Sequence, residues 1–514
     1  MPLDPNAPDL TVAVIGTGTM GRGIVQVSAQ GGMRVLAFDE KPGAAQAAKD
    51  YIAKTLGGLV QKGRLSEADA KAAVERIIVA GSLAGLARAD VVVEAIIEKL
   101  EPKQELFAKL EGVVGPETIL ASNTSSIPIT AIASKCKHPE RVGGMHFFNP
   151  VPLMRLVEII PGLRTAQWVT DAMMVLGRRM TREPILCTDS PAFLVNHVGR
   201  GFVPESQRIL TENIASASDI DRILTGAPGF KMGPFALADM VGIDVQHSVM
   251  ESVFAQFYGE PAFAPLNLSA LRVAGGMLGR KTSGGWFQYE NGQAVHAPLA
   301  SPPPPAEARP VWLRPSDHHP ELQAPLIDVL KQSGANLETG AAPSAGAIIL
   351  LTPIGWDLTT AATDLKLDPK RTVAVDVLFG MKGPRTLMVS PATDPAVRDT
   401  AHSLLAADGQ PVIVINDSPG FVAQRVVAMI VNIACGVAQR GIASPEDIDK
   451  ATKLGLGYPF GPLEWGDRIG AGRVLFILER LQAFYGEPRY RPNPWLKRRA
   501  ALGLPLSAPE GRSA

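Results

Sequence analysis

Cysteine is scarce, with three residues in 514: Cys136, Cys187 and Cys435. Thiols this few and this scattered exclude a disulfide framework and argue against a zinc site, so no metal and a reducing, cytoplasmic setting are expected. Net charge is missing as well, because 50 basic residues cancel 50 acidic ones. That balance argues against nucleic acid or an anionic membrane surface as a partner. No apolar, uncharged run reaches the roughly 18 residues a bilayer span needs, and the opening MPLDPNAPDL lacks the basic and apolar regions of a signal peptide. Glycine (50) and proline (43) stay below low-complexity levels. What the chain does have is length, enough for about three or four domains.

The first forty residues carry a specific pattern. Thr11–Ile15 (TVAVI) reads as a buried strand leading into Gly16-Thr17-Gly18-Thr19-Met20-Gly21, then a stretch with helical apolar spacing. A second apolar run, Arg34–Phe38, ends at Asp39. Strand, glycine loop, helix, strand and acid in that order form a dinucleotide-binding fingerprint. Gly16 permits the tight turn, Gly18 lets the backbone approach a pyrophosphate, and Gly21 lets helix and strand pack closely. A carboxylate at Asp39 accepts ribose hydroxyls and repels a 2′-phosphate, so NAD is expected rather than NADP.

Further along, Ala89–Ile96 (ADVVVEAI) and Thr118–Ala121 read as strands, the latter opening into the hydroxyl-rich loop Ser122-Asn123-Thr124-Ser125-Ser126. The segment 141–160, RVGGMHFFNPVPLMRLVEII, places His146 at the end of one apolar run and Glu158 inside the next. An inward-facing carboxylate is costly unless paired. Both residues are accounted for if the two strands lie side by side and Glu158 accepts a hydrogen bond from His146, which makes a general base with a stabilised imidazolium.

GTGTMGRGI, SNTSSI, HFFNP followed by LVE, and DSPAFLVN occur here in an order that resembles the NAD-dependent 3-hydroxyacyl-CoA dehydrogenase family over about residues 10–290. The resemblance implies His146 as catalytic base, Glu158 as its partner, and Ser125 and Asn196 as contacts to the substrate's oxygens. It implies that Thr19, Met20, Glu98, Lys103, Asn123 and Asn149 join Gly16, Gly18, Gly21 and Asp39 around the cofactor, and that Thr55 and Lys62 lie near coenzyme A. Arg155 stands where many relatives carry lysine. The two-half form resembles the dehydrogenases of phenylacetate breakdown, which act on 3-hydroxyadipyl-CoA.

The chain also repeats itself. Asp189-Ser190-Pro191-Ala192-Phe193 returns as Asp417-Ser418-Pro419-Gly420-Phe421, and Asp219-Ile220-Asp221 as Asp447-Ile448-Asp449, both at an offset of 228. Gly229–Gly242 returns as Gly457–Gly470, and FYGEP at Phe257–Pro261 returns at Phe484–Pro488. Upstream, Arg141–Asn149 aligns with Arg371–Phe379 at an offset of 230, which makes His146 correspond to Asp376 and Glu158 to Met388, while Asn196 corresponds to Gln424 at the offset of 228. The second half has no glycine loop after Ala347–Pro353. Motifs held in both halves read as structural, with Asp189 or Ser190 capping a helix that starts at Pro191; residues confined to the first half read as functional.

The expected fold is therefore α/β: an N-terminal Rossmann doubly wound sheet, an all-helical domain, and a degenerate second copy of both. The expected boundaries are 1–188, 189–293, a proline-rich linker at 294–312, 313–412, and 413–514. The expected activity is oxidation of an (S)-3-hydroxyacyl-CoA with NAD, in a homodimer whose substrate partner is an acyl-CoA. The alternatives are a 3-hydroxybutyryl-CoA or hydroxy-acid dehydrogenase and a non-catalytic NAD-binding protein.

Overall fold

The computed structural model describes residues 3–304, 309–317 and 319–511, so residues 305–308 of the expected linker lie outside the described residues. The chain divides into two compact units, Met1–His197 with Arg440–Leu456, and Val198–Gln439 with Gly457–Ala514.

The first unit is built on an eight-stranded sheet in the order β3-β2-β1-β4-β5-β6-β7-β8. Its strands are β1 (Thr11–Ile15), β2 (Arg34–Phe38), β3 (Ile77–Val79), β4 (Val91–Glu94), β5 (Ile119–Ser122), β6 (Val142–Phe147), β7 (Leu156–Pro161) and β8 (Glu183–Leu186). β1 is buried along its whole length, as a central strand covered on both faces must be, which is why it reads as an unbroken apolar run. Every neighbouring pair is parallel except β6 and β7, which run antiparallel. The order reverses between β1 and β4, the point at which such sheets take their ligands. Apolar residues of the helices Thr19–Gln30, Ala44–Gln61 and Gln167–Arg179 close the core with Val12, Val14, Val91 and Val93.

The second unit is mostly helical. It also holds a two-stranded hairpin, β9 (Gln288–Glu290) with β10 (Gln293–Val295). Its six-stranded sheet runs β12-β11-β13-β14-β15-β16. The strands are β11 (Val311–Leu313), β12 (Leu337–Glu338), β13 (Ile348–Leu351), β14 (Thr372–Val375), β15 (Arg385–Met388) and β16 (Val412–Ile415). As with β6 and β7, only β14 and β15 are antiparallel.

Two sequence expectations are corrected here. Asp189-Ser190-Pro191 does not begin a helix, because Ala192 (φ 62°) and Phe193 (φ 51°) sit in the left-handed region and the helix starts only at Val195. Asp189 instead accepts hydrogen bonds from the amides of Ile129 (2.9 Å) and Thr130 (2.7 Å), capping a helix 60 residues upstream in the chain. Asp417 does the same to Leu358 (2.6 Å) and Thr359 (2.9 Å), so the repeated motif is a long-range cap. The second correction concerns register. Met388 pairs with Ala374 and Leu387 with Val375, and the Asp376 amide donates to the Thr386 carbonyl (3.2 Å). The residue facing Asp376, as Glu158 faces His146, is therefore Thr386 and not Met388.

Candidate active site

The site begins with the antiparallel pair β6 and β7. Their register sets His146 directly opposite Glu158, so both side chains leave the same face of the sheet. Nδ1 of His146 lies 2.6 Å from Oε2 of Glu158, which is fully buried. The other carboxylate oxygen, Oε1, accepts the amides of Leu194 (3.2 Å) and Val195 (2.7 Å). Those bonds satisfy the buried charge and tie β7 to the short helix that carries Asn196. Phe148 and Phe193 flank the imidazole at 4.5 and 5.8 Å between ring centroids. With Nδ1 held by a carboxylate, Nε2 is the nitrogen left to exchange a proton.

A second buried carboxylate organises the neighbouring loop. Glu94, at the end of β4, takes the Lys103 ammonium (2.6 Å), the Ile96 amide (2.6 Å) and the Ser122 hydroxyl (2.7 Å). Lys103, itself 1% exposed, also pairs with Glu98 at 3.2 Å. Glu98 in turn accepts the Thr124 hydroxyl (2.7 Å), the Ser125 amide (2.7 Å) and the Ser125 hydroxyl (3.2 Å). Burial works to raise the Glu98 carboxyl, but the Lys103 cation and the Thr124 and Ser125 donors outweigh it and hold the group below the usual range. Lys103 thus faces inward as the anchor of this network. Glu94 and Ser122 had no assigned part in the sequence reading. The signal was present: a glutamate at the end of a run of three valines needs a buried partner.

The glycine loop fits a dinucleotide. Gly16 has φ 84°, and a Cβ there would meet the Ala95 carbonyl oxygen at 2.6 Å. A Cβ on Gly21 would fall 1.7 Å from the Gly16 oxygen, whereas one on Gly18 would meet nothing within 4 Å. The helix that follows, opening at Thr19 and Met20, has no side-chain cap and no acidic residue in its first turn, which leaves its positive end to a ligand. Asp39 receives the Thr17 amide (2.7 Å) and hydroxyl (2.9 Å) on one oxygen and the Lys41 amide (3.0 Å) on the other. Partial burial opposes ionisation of Asp39, but the Thr17 and Lys41 amides prevail and lower its pKa. A cavity of about 460 Å³ lies here, lined by Gly16, Gly18, Phe38, Asp39, Ile96 and Pro102 among others.

The remaining expected residues are spread around these centres. The Asn123 side-chain oxygen accepts the Phe147 amide at 2.9 Å, which couples the serine loop to the strand bearing His146. Asn149 is exposed and precedes a cis proline, Pro150. Thr55 and Lys62 lie two turns apart along the helix Ala44–Gln61 and its C-cap; the Thr55 hydroxyl donates to the Tyr51 carbonyl (2.8 Å) and Lys62 is exposed.

Comparison with known proteins places this geometry. Residues 11–190 match the family model described as 3-hydroxyacyl-CoA dehydrogenase, NAD binding domain. The model of the C-terminal domain of 3-hydroxyacyl-CoA dehydrogenase matches twice, over 193–289 and 420–510. The chain belongs to the 3-hydroxyacyl-CoA dehydrogenase family. With membership come an oxidoreductase acting on a CH–OH group and NAD as its cofactor. Among relatives of this dehydrogenase family, the 3-hydroxyadipyl-CoA dehydrogenase of Escherichia coli K12 is 39% identical over 496 residues, covering 96% of this chain and 98% of its own. A probable 3-hydroxybutyryl-CoA dehydrogenase of Bacillus subtilis is 38% identical over 279 residues, covering 54% of this chain and 97% of its own. Among solved structures, a 3-hydroxybutyryl-CoA dehydrogenase from E. coli K12 superposes with a TM-score of 0.82 at 37% identity, covering 96% of this chain and 98% of that one. No helix among the described residues of this dehydrogenase is long and apolar enough to cross a membrane.

Proposed function

We propose that this chain oxidises an (S)-3-hydroxyacyl-CoA to the 3-ketoacyl-CoA with His146 as the general base. The observation that carries this is the buried contact of 2.6 Å between His146 Nδ1 and Glu158 Oε2. Nε2 of His146 takes the proton of the substrate's 3-hydroxyl as hydride leaves C3. NAD, when bound, supplies the hydride acceptor. Glu158 fixes the tautomer and stabilises the imidazolium that forms. Ser125 and Asn196 hold the reacting oxygens in line, which is a positioning contribution. Glu98 and Lys103 set the serine loop at the edge of the cofactor site, Asn123 holds the backbone of Phe147, and Asn149 lies beside the cofactor. Thr55 and Lys62 meet the coenzyme A portion.

The substrate we favour is 3-hydroxyadipyl-CoA, in phenylacetate catabolism. The full-length likeness to the E. coli enzyme of that name supports it. The second reading is 3-hydroxybutyryl-CoA, the substrate in the names of the half-length relatives and of the E. coli crystal structure. We further propose that the C-terminal half is a reduced copy of the first, without a catalytic set. Several observations support this: the antiparallel pair in each sheet, the shared long-range aspartate cap, the doubled C-terminal-domain match, and Gln424 donating to Asp376 (2.9 Å) where the first half has Asn196 and His146. Burial pushes the Asp376 carboxyl up to about 6, against the opposing bond from Gln424. The domain boundaries of the sequence reading, a cytoplasmic location and a homodimer belong to the same proposal. Following NADH formation with purified protein and (S)-3-hydroxyadipyl-CoA, (S)-3-hydroxybutyryl-CoA and a free 3-hydroxy acid tests it. The reading predicts turnover of both thioesters with the higher kcat/KM for the dicarboxylate, and it fails if no acyl-CoA is turned over.

A further inference from the structure

The turn that serves the catalytic pair is short and strained. Ala192 and Phe193 both have positive φ, and the helix that follows, Val195–Val198, is four residues long. Yet the amides of Leu194 and Val195, where that helix begins, hold Glu158, and the helix carries Asn196. A single helical turn is not stable by itself, and backbone in the left-handed region persists only where its surroundings enforce it. The segment 188–197 must therefore be held by other parts of the first unit.

A piece of the C-terminal half holds it. Residues 440–456 belong to the same compact unit as the glycine loop and His146. The Thr188 amide donates to the Ile442 carbonyl at 2.9 Å. Arg440 lies 3.2 Å from Nε2 of the fully buried His197, and because a guanidinium only donates, that nitrogen is the acceptor. Gly455, in the last turn of the helix Pro445–Leu456, packs very closely: a Cβ on it would stand 3.0 Å from both Leu156, the first residue of β7, and Val195. The second unit repeats the exchange at the offset of 228. There the Asn416 amide donates to the Ile214 carbonyl (2.9 Å), Arg425 pairs with Glu212 (2.6 Å), and Gly226 lies against Pro384. The exchange is thus architectural, but only in the first unit does it bear on a turn that holds a histidine–carboxylate pair.

We propose that residues 440–455 of the C-terminal half position the catalytic pair by bracing the turn whose amides hold Glu158. Gly455 supports Val195 through a contact that leaves no room for a larger side chain, and Ile442 and Arg440 pin the turn at Thr188 and His197. These are positioning residues, since each acts through the turn and not on the reacting atoms. The half that lacks a catalytic set is then required for the reaction of the other half. The proposal rests on the reading of His146 and Glu158 given above.

Gly455→Val in the full chain tests it, with acyl-CoA-dependent NADH formation measured beside fluorescence titration of NADH in the absence of substrate. The expected result is a kcat lower by about tenfold or more, because small displacements of positioned groups are that costly, with NADH affinity unchanged. The double variant V195A/G455V removes the Cγ atoms that the new side chain meets and should recover most of the lost kcat. Gly455→Ala replaces a helical glycine, which favours the helix, so it should lower kcat less than Val does without lowering Tm. It carries the test if G455V does not fold. Wild-type kcat in the folded variants overturns the proposal, as does loss of kcat and NADH affinity together with no recovery in V195A/G455V. Failure of the wild-type chain to turn over any acyl-CoA overturns instead the reading on which the proposal rests.

Discussion

His146 Nδ1 and Glu158 Oε2 stand 2.6 Å apart because the two residues face each other across an antiparallel strand pair. Eleven residues of chain, including a cis proline, separate them, but the ladder makes them direct neighbours. The carboxylate is fully buried and holds two backbone amides with its other oxygen, so it cannot turn away from the imidazole.

Replacing His146 by Gln is expected to lower kcat by about 10²–10⁴-fold with little change in KM, since general-base catalysis contributes on that scale. Steady-state NADH formation measures this, and activity within about tenfold of wild type would remove His146 from the mechanism. Glu158→Gln should lower kcat as well, because the imidazole loses the carboxylate that orients it.

The glycines of the first loop separate folding from binding. Gly18→Ala introduces a methyl group into open space, so the melting temperature should hold while KM for NAD rises. Gly21→Ala forces a Cβ to 1.7 Å from the Gly16 oxygen and should lower the melting temperature by itself. Thermal melts of apo protein beside NAD kinetics distinguish the two.

Asp39 should set the choice between NAD and NADP. Its carboxyl is held below the ordinary value, so it stays ionised, and NAD preference should persist, across the whole neutral and mildly acid range. Asp39→Ser removes the charge that repels a 2′-phosphate. The ratio of kcat/KM for NAD to that for NADP is expected to fall by at least tenfold.

Lys103→Met would strand the Glu94 and Glu98 charges, and breaking a buried pair typically costs about 3–5 kcal/mol. Urea unfolding should report that loss. The milder Glu98→Gln is expected to keep the fold and raise KM for substrate, because the Ser125 amide and hydroxyl lose a charged acceptor.

Acid should unfold the second unit through Glu205. Burial works to raise this carboxyl, but Arg425, Arg208 and Arg489 pull it down from 4.5 to about 2. Between those values the unfolded chain binds more protons than the folded one. The stabilisation is therefore complete above about pH 4.5 and lost as pH falls towards 2, on the order of 3 kcal/mol in all. Glu205→Gln should destabilise at pH 7 and flatten the dependence of unfolding free energy on pH below 4.5, which urea titrations across that range would measure.

Local patterns were legible in the sequence because they are decided within a few residues. A glycine loop must follow a buried strand and open a helix, an acid must sit at the next strand's end, and a carboxylate inside an apolar run must find a partner. From these, NAD, the pairing of His146 with Glu158 and the family could be read. What the local pattern did not decide was who meets whom across the chain. The pairing of Asp189 with two amides 60 residues upstream, the direct face-off of Asp376 with Thr386, and the burial of Lys103 between two glutamates depend on strand order and register. Arg155, Arg182 and Lys453 line one cavity only because distant segments are packed together, since charge spacing along the chain carries no record of which helices will share a wall.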